Sequence, residues 1–380
     1  MNRYEYKFIG EIVKYISNKI SREPLHVANY PVGLRSQVQQ VKLLLDNGSD
    51  DGVHMVGIYG IGGLGKSTLA RAIYNFVADQ FEGLCFLHDV RENSAINNLK
   101  HLQEKLLLKT TGLEIKLDHV SEGIPIIKER LCRKKILLIL DDVNNIKQLH
   151  ALAGGLDWFG YGSRVVVTTR DKQLLTCHGI ESTHEVEGLY GTEALELLSW
   201  MAFKNDQVPS SYKEILNRAV AYASGLPLVL EIVGSNLFGK SIEEWKGTLD
   251  GYDKIPNKEI QKILKVSYDG LEEEEQSVFL DIACCFKGYE WEDAKYILHS
   301  HYGHCITHHL GVLAEKSLID KYYSHVTLHD MIEDMGKEVV RQESPKEPGE
   351  RSRLWCQDDI VHVLNKNTVS KIDINDQFVI

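Results

Sequence analysis

The run Gly60-Ile61-Gly62-Gly63-Leu64-Gly65-Lys66-Ser67 satisfies G-x-x-x-x-G-K-[ST], and more than any other feature it limits what this chain can fold into. An apolar stretch, Met55 to Tyr59, precedes it, and Ser67, Thr68, Leu69, Ala70, Ile73 and Tyr74 begin a helical pattern after it. The glycines therefore fall in a strand-to-helix turn. There, backbone N–H groups without side chains in the way converge on phosphate oxygens, and the helix dipole adds to the attraction. Gly60, Gly62, Gly63, Leu64, Gly65 and Thr68 are expected to line this cradle. Lys66 is expected to reach the β- and γ-phosphates, and the Ser67 hydroxyl to hold Mg2+.

Such a loop needs an acidic partner at the end of a neighbouring strand, and Ile136 to Leu140 followed by Asp141-Asp142 supplies one. Asp141 is expected to bind Mg2+ through water, and Asp142 to orient or deprotonate an attacking water. Aspartates after an apolar strand also cap helices, so the glycine loop is what favours the functional reading. The next apolar run, Val165 to Thr169, ends at Arg170. An arginine there faces the crevice where α/β sheets bind ligands and could sense a γ-phosphate; the alternative is a surface arginine paired with Asp171 or another acid.

Strands are predicted at Met55 to Tyr59, Leu84 to Val90, Lys135 to Leu140, Arg164 to Thr169 and Thr183 to Val186, alternating with helical patterns. Ile136 to Leu140 shows no polar alternation, as expected of a parallel strand covered by helices on both faces. Beyond Gly188 the pattern turns helical: Ala194, Leu197, Leu198 and Met201 share one face, and Tyr212 to Ala223 reads as a helix stopping at Gly225 before Pro227. Past Asn257 come short helices, a hairpin from Leu318 to Leu328, and a helix with Met331, Ile332, Met335 and Val339 on one face, which together suggest a winged helix. The acidic run Glu272 to Glu275 reads as the solvated first turn of a helix.

The predicted organisation is a linker helix over 1–28, a nucleotide-binding domain over 29–187, a helical domain over 188–256, a winged-helix domain over 257–345 and an extension over 346–380. The linker helix is read from Ile9, Ile12, Val13, Ile16 and Ile20, spaced as one helical face.

A balance of 43 basic against 54 acidic residues gives a net charge of -11, so no overall basic field exists to hold nucleic acid or an anionic membrane. No apolar run approaches the roughly 20 residues of a membrane span. Neither a nucleic-acid partner nor a membrane span is expected. Seven scattered cysteines without a C-x-x-C pair suit a reducing cytosol or nucleus. His299, His301, His304, Cys305, His308 and His309 crowd together, but no second ligand set at a recognised zinc spacing accompanies them.

Six motifs occur in order: Gly60 to Thr68, Lys134 to Val143, Gly162 to Asp171, Gly225 to Leu228, Phe279 to Gly288 and Leu328-His329-Asp330. In this order they resemble the NB-ARC module of plant intracellular immune receptors. Phe86 to Glu92 and the Phe279 stretch favour the branch with a Toll/interleukin-receptor-like amino-terminal domain and carboxyl-terminal leucine-rich repeats. The resemblance runs from about Tyr4 to Asn365.

It implies an α/β P-loop NTPase domain with a parallel sheet, then a small helical domain and a winged-helix-like domain, closing around ADP at rest and reopening on exchange for ATP. It further implies that Pro227 packs by the adenine and ribose, that the Val32 and Gly33 backbone contacts adenine, that His329 approaches the β-phosphate and that Asp330 holds that loop. Self-association on activation, with other immune receptors or effectors as partners, is part of the same implication. Enzymatic turnover would be at most slow Mg-dependent ATP hydrolysis resetting the switch. From the residues alone, Pro227 can simply start a helix after Gly225, and His329 can be a core histidine. Leu328 stands where that family usually has methionine, and Arg35 where glutamate is common. A conventional P-loop ATPase and a non-switching interaction fragment are the rival readings.

Overall fold

The structure is a computed structural model, and it describes residues 24–46, 52–205, 208–254, 257–322 and 324–366. The predicted helix of Tyr4 to Ile20 and the segment from Val369 to Ile380 lie outside the described residues. The chain divides into two units: Met1–Gly60 with Gly65–Val186, and Ile61–Leu64 with Glu187–Ile380.

The first unit is a parallel sheet between helices. In chain order it contains α1 (Leu34–Asp46), β1 (His54–Tyr59), α2 (Lys66–Val77), β2 (Gly83–Leu87), α3 (Val90–Thr111), α4 (Val120–Leu131), β3 (Ile136–Val143), α5 (Ile146–Leu152), β4 (Arg164–Thr169), α6 (Lys172–Cys177) and β5 (Ser182–Glu185). The strands lie in the order β2-β3-β4-β1-β5, every pairing parallel. Ile136 through Leu140 are fully buried, as their unbroken aliphatic run requires in a sheet covered on both faces. Gly57 in β1 marks close packing: a Cβ there would lie 2.3 Å from a methyl of Leu175, which would have to shift, so α6 sits directly on the sheet.

Two predicted strand ends move. The second strand stops at Leu87 instead of running to Val90, because Asp89 adopts a left-handed conformation (φ 48°) and Val90 already begins α3. The third continues past Leu140 to Val143 through a register shift, with Leu140 opposite Val167 and Val143 opposite Thr169. Two residues of β3, Asp141 and Asp142, thus face one residue of β4, Thr168. Bulges of this kind re-aim side chains, here the two aspartates.

The second unit is helical, with one hairpin. It holds α7 (Gly191–Phe203), α8 (Lys213–Ala223), α9 (Pro227–Leu237), α10 (Ile242–Lys254), α11 (Lys258–Asp269), α12 (Glu273–Asp281), α13 (Trp291–Tyr302), α14 (Ile306–Glu315), β6 (Asp320–Tyr322), β7 (His325–Thr327), α15 (Asp330–Glu343) and α16 (Gln357–Lys366). Trp245 anchors its first part: the indole is 1% exposed, donates to the Leu237 carbonyl at 2.8 Å and packs on Phe203 and Tyr212. A π-helical turn, Ile282–Phe286, follows α12. The antiparallel pair β6–β7 and the helix after it form the wing and its neighbour.

The buried face of α15 holds Met331, Ile332, Met335, Gly336 and Val340, while Val339 is half-buried. Glu275 is not solvated: it is 7% exposed and accepts from the Glu272 backbone N–H at 2.9 Å, closing the helix start. The segment after Glu347, within the predicted extension, is tied in by two arginines. Arg351 donates to the Ser344 carbonyl at 2.8 Å and pairs with Asp359, while Arg353 donates to Asp281 and to the Ser277 carbonyl.

Candidate nucleotide-binding site

Strand order brings the chemistry together. Because β4 lies between β1 and β3, the loop after β1 and the aspartates of β3 converge across one strand. The Ser67 hydroxyl donates to Asp141 Oδ1 at 2.9 Å, and the Thr168 hydroxyl of β4 donates to the same oxygen at 2.6 Å. Thr168 Oγ1 also accepts the Asp142 backbone N–H at 2.8 Å, so one threonine fixes both aspartates. Burial pushes the Asp141 carboxyl above its ordinary pKa, and the two hydroxyls offset part of that rise.

Lys66 is buried, and its Nζ donates to the Gly60 carbonyl at 2.8 Å. Burial, with Arg170 adding repulsion, pulls its pKa down to about 7. Gly60 and Gly65 take positive φ values of 141° and 92°. A side chain at Gly65 would meet no neighbour, so that glycine is required by backbone conformation and not by space. Thr68 lies within the first turn of α2, its hydroxyl 3.5 Å from an Arg71 nitrogen.

Asp142 sits at φ 58° with its carboxylate between two arginines: Arg91 at 2.9 Å and Arg170 at 4.0 Å. Arg170 follows β4 and Arg91 opens α3 just beyond β2, so the strands on either side of β3 each send an arginine to its aspartate. Asp142 was expected to handle a water; here its oxygens are engaged by cations. Arg91 was not singled out in the sequence. The signal that marks it is its place beyond the carboxyl end of the strand next to β3. Val32 and Gly33 precede α1 as a short turn, Val32 N–H donating to the Tyr30 carbonyl at 3.0 Å and Gly33 at φ 70°. Their helix meets β5 through Gln37 and His184, 3.4 Å apart.

The remaining candidates belong to the second unit, as do the loop residues Ile61–Leu64. Within it, the Leu228 N–H donates to the Gly63 carbonyl at 3.2 Å. Pro227 occupies the first turn of α9, where its missing N–H costs nothing. The His329 ring caps α15, Nδ1 accepting from the Met331 N–H at 3.2 Å, while Nε2 lies 2.9 Å from the Ser224 carbonyl. Both contacts together specify a neutral ring with its proton on Nε2, and burial lowers its pKa accordingly. Asp330 accepts from the Ser224 hydroxyl at 2.7 Å and pairs with Lys287 at 2.5 Å. Burial alone would raise the Asp330 pKa, but Lys287 and Ser224 hold it below the usual carboxylate value. Among the described residues, no group of three or more His, Cys, Asp or Glu side chains converges as a metal-ligand set, the histidine-rich stretch included.

The donors in the first unit fit a magnesium nucleotide: a buried lysine poised near neutrality for a phosphate, and a serine hydroxyl hydrogen-bonded to a carboxylate of raised pKa. A parallel sheet carrying these groups defines a P-loop nucleotide-binding protein of the NTPase class. Residues 34–208 match the NB-ARC domain, and residues 272–344 match the winged-helix domain of Roq1-like disease resistance proteins. The chain therefore carries an NB-ARC domain followed by a winged-helix domain of the Roq1-like kind, and its relatives are disease resistance proteins. It is 40% identical over 359 residues to the disease resistance protein RPV1 of Vitis rotundifolia, spanning 93% of this chain and 25% of that one. With the TMV resistance protein N of Nicotiana glutinosa the identity is 38% over 369 residues, 95% of this chain and 32% of that one. The chain thus spans about a quarter to a third of the length of these curated relatives. No helix among the described residues is long and apolar enough to cross a membrane.

The low Lys66 pKa has a measurable consequence. Above pH 7 the free protein has largely lost this proton, and a bound phosphate restores it, so binding takes up a proton in alkaline buffer. Titration calorimetry in buffers of different ionisation enthalpy should show uptake approaching one proton per nucleotide at pH 8, and little at pH 6. Equal uptake at both pH values would contradict a perturbed lysine at the phosphate.

Proposed function

We propose that this chain is the nucleotide-dependent switch of a plant immune receptor, held off by ADP and turned on by ATP. The observation that carries the reading is the Lys66, Ser67, Asp141 and Thr168 constellation in a chain that carries an NB-ARC domain and is similar to disease resistance proteins. Bound Mg2+ would neutralise phosphate charge between Ser67 and Asp141. Lys66 supplies the cation that binds and orients the phosphates, and the glycine loop supplies N–H donors. The three divisions are 29–187 for nucleotide binding, 188–256 as a helical arm and 257–345 as the winged helix. Val32, Gly33 and Pro227 take the adenine and ribose end.

His329 acts as the sensor of the off state. Its Nε2 proton, shared here with the Ser224 carbonyl, is what a β-phosphate would receive, with Asp330 holding the loop through Ser224 and Lys287. A nucleotide with different partners in the two states shifts their populations by that difference in contacts. Self-association follows in the ATP state, in the cytosol or nucleus. Denaturing the purified chain and identifying what it releases tests the proposal. Stoichiometric ADP with turnover slower than about one per minute supports the switch. Rapid multiple turnover indicates a conventional ATPase instead, and a protein that neither releases nor takes up nucleotide rejects both.

A further inference from the structure

The carboxylate of Asp142 is shared by two arginines that arrive from opposite sides. Arg91 comes from beyond β2 and Arg170 from the end of β4, at 2.9 and 4.0 Å, flanking the strand that carries the aspartate. Lys66, Arg91 and Arg170 bring three cations to the neighbourhood of Asp141 and Asp142. A guanidinium satisfied by a single carboxylate oxygen still has further donors in its fork. Arg91 retains 30% of its side-chain exposure, against 18% for Asp142 and for Arg170. Asp142 also holds the left-handed conformation that non-glycine residues seldom adopt, at φ 58°. Its backbone is bonded to Thr168, which in turn bonds Asp141 and through it Ser67. A shift of Asp142 is therefore felt at the residues expected to hold Mg2+.

We propose that Arg91 is a second reader of the terminal phosphate, and that Asp142 is the counter-ion both arginines release to it. The inference rests on the nucleotide reading above. A γ-phosphate offers up to two charges and three acceptor oxygens where Asp142 offers one charge and two oxygens, so the arginines exchange one acceptor for a stronger one. A diphosphate lacks that group and leaves the Asp142 pairs intact. Arg91 thus discriminates triphosphate from diphosphate and adds little to the affinity both share.

Fluorescent ADP and a non-hydrolysable fluorescent ATP analogue, each with Mg2+, titrated into the full chain test this. Arg91→Ala should weaken the triphosphate analogue roughly tenfold to a hundredfold and leave ADP within about twofold. Arg91→Lys should fall between. Asp142→Asn should strengthen triphosphate binding several-fold, since it removes the competing anion. The double variant Arg91→Ala/Asp142→Asn leaves no charge of the pair unpartnered, and relative to Asp142→Asn it should show the same selective loss. Equal losses for both nucleotides, no loss for either, or weaker triphosphate binding by Asp142→Asn would each overturn the proposal while the nucleotide site stood. A wild-type chain that binds neither nucleotide would remove the site and this inference together.

Discussion

Lys66→Ala should abolish nucleotide retention, with affinity for ADP and for ATP falling about a hundredfold or more. The ammonium is the buried cation at the loop, and inside protein a charge-assisted contact to phosphate counts for far more than in water. Both nucleotides carry the phosphate Lys66 would meet, so the loss is not selective, in contrast to Arg91. The variant should remain folded: burial disfavours this charge strongly enough to bring its pKa to about 7, and alanine removes that penalty along with the group. Thermal unfolding of nucleotide-free protein should accordingly give a Tm equal to or above that of wild type. Nucleotide content after denaturation gives the decisive reading, and wild-type levels of ADP in the variant would refute the assignment of Lys66.

Asp330→Val should free the second large effect, faster release of ADP. The carboxylate joins the Ser224 hydroxyl to Lys287, and the neighbouring His329 reaches the Ser224 carbonyl, so two successive residues bind one residue of left-handed conformation at φ 47°. Valine removes both Asp330 contacts, leaving Lys287 to Glu333. The Asp330 side chain is 61% exposed, so the ion pair itself contributes little to stability; under the proposed switch the expected consequence lies in how long ADP is retained. Stopped-flow displacement of fluorescent ADP should show release about tenfold faster, with a larger radius of gyration in solution scattering. Identical release and scattering in wild type and variant would reject a role for Asp330 in ADP retention. Asp330→Asn, which keeps an acceptor for Ser224, should lie nearer wild type.

The strands that carry the site were readable because their residues answer to local physics. Ile136 to Leu140 can only be a doubly covered strand, and the glycine loop between a strand and a helix has few other uses. The helix start at Pro227 likewise follows from proline geometry. The misplaced boundaries share a cause. Nothing in the composition of Phe86 to Val90 announces that Asp89 turns left-handed, and nothing in the Asp141-Asp142 pair announces a bulge. The docking of Arg351 and Arg353 was invisible because their partners Asp359 and Asp281 lie 8 and 72 positions away, at no regular spacing.

By itself, then, the sequence determined the chemical inventory and its local frames: a lysine and a serine at a helix start, two aspartates closing a buried strand, an arginine closing another. Periodicity and backbone preference act over a few residues, and these features lie within that range. Only the tertiary structure decided which groups meet. The order β2-β3-β4-β1-β5 brings Thr168 and Ser67 to one oxygen of Asp141, and sets Arg91 and Arg170 on either side of Asp142. The reason is that strand order is fixed by packing helices over the whole sheet, so residues dozens of positions apart become neighbours for reasons no single segment contains.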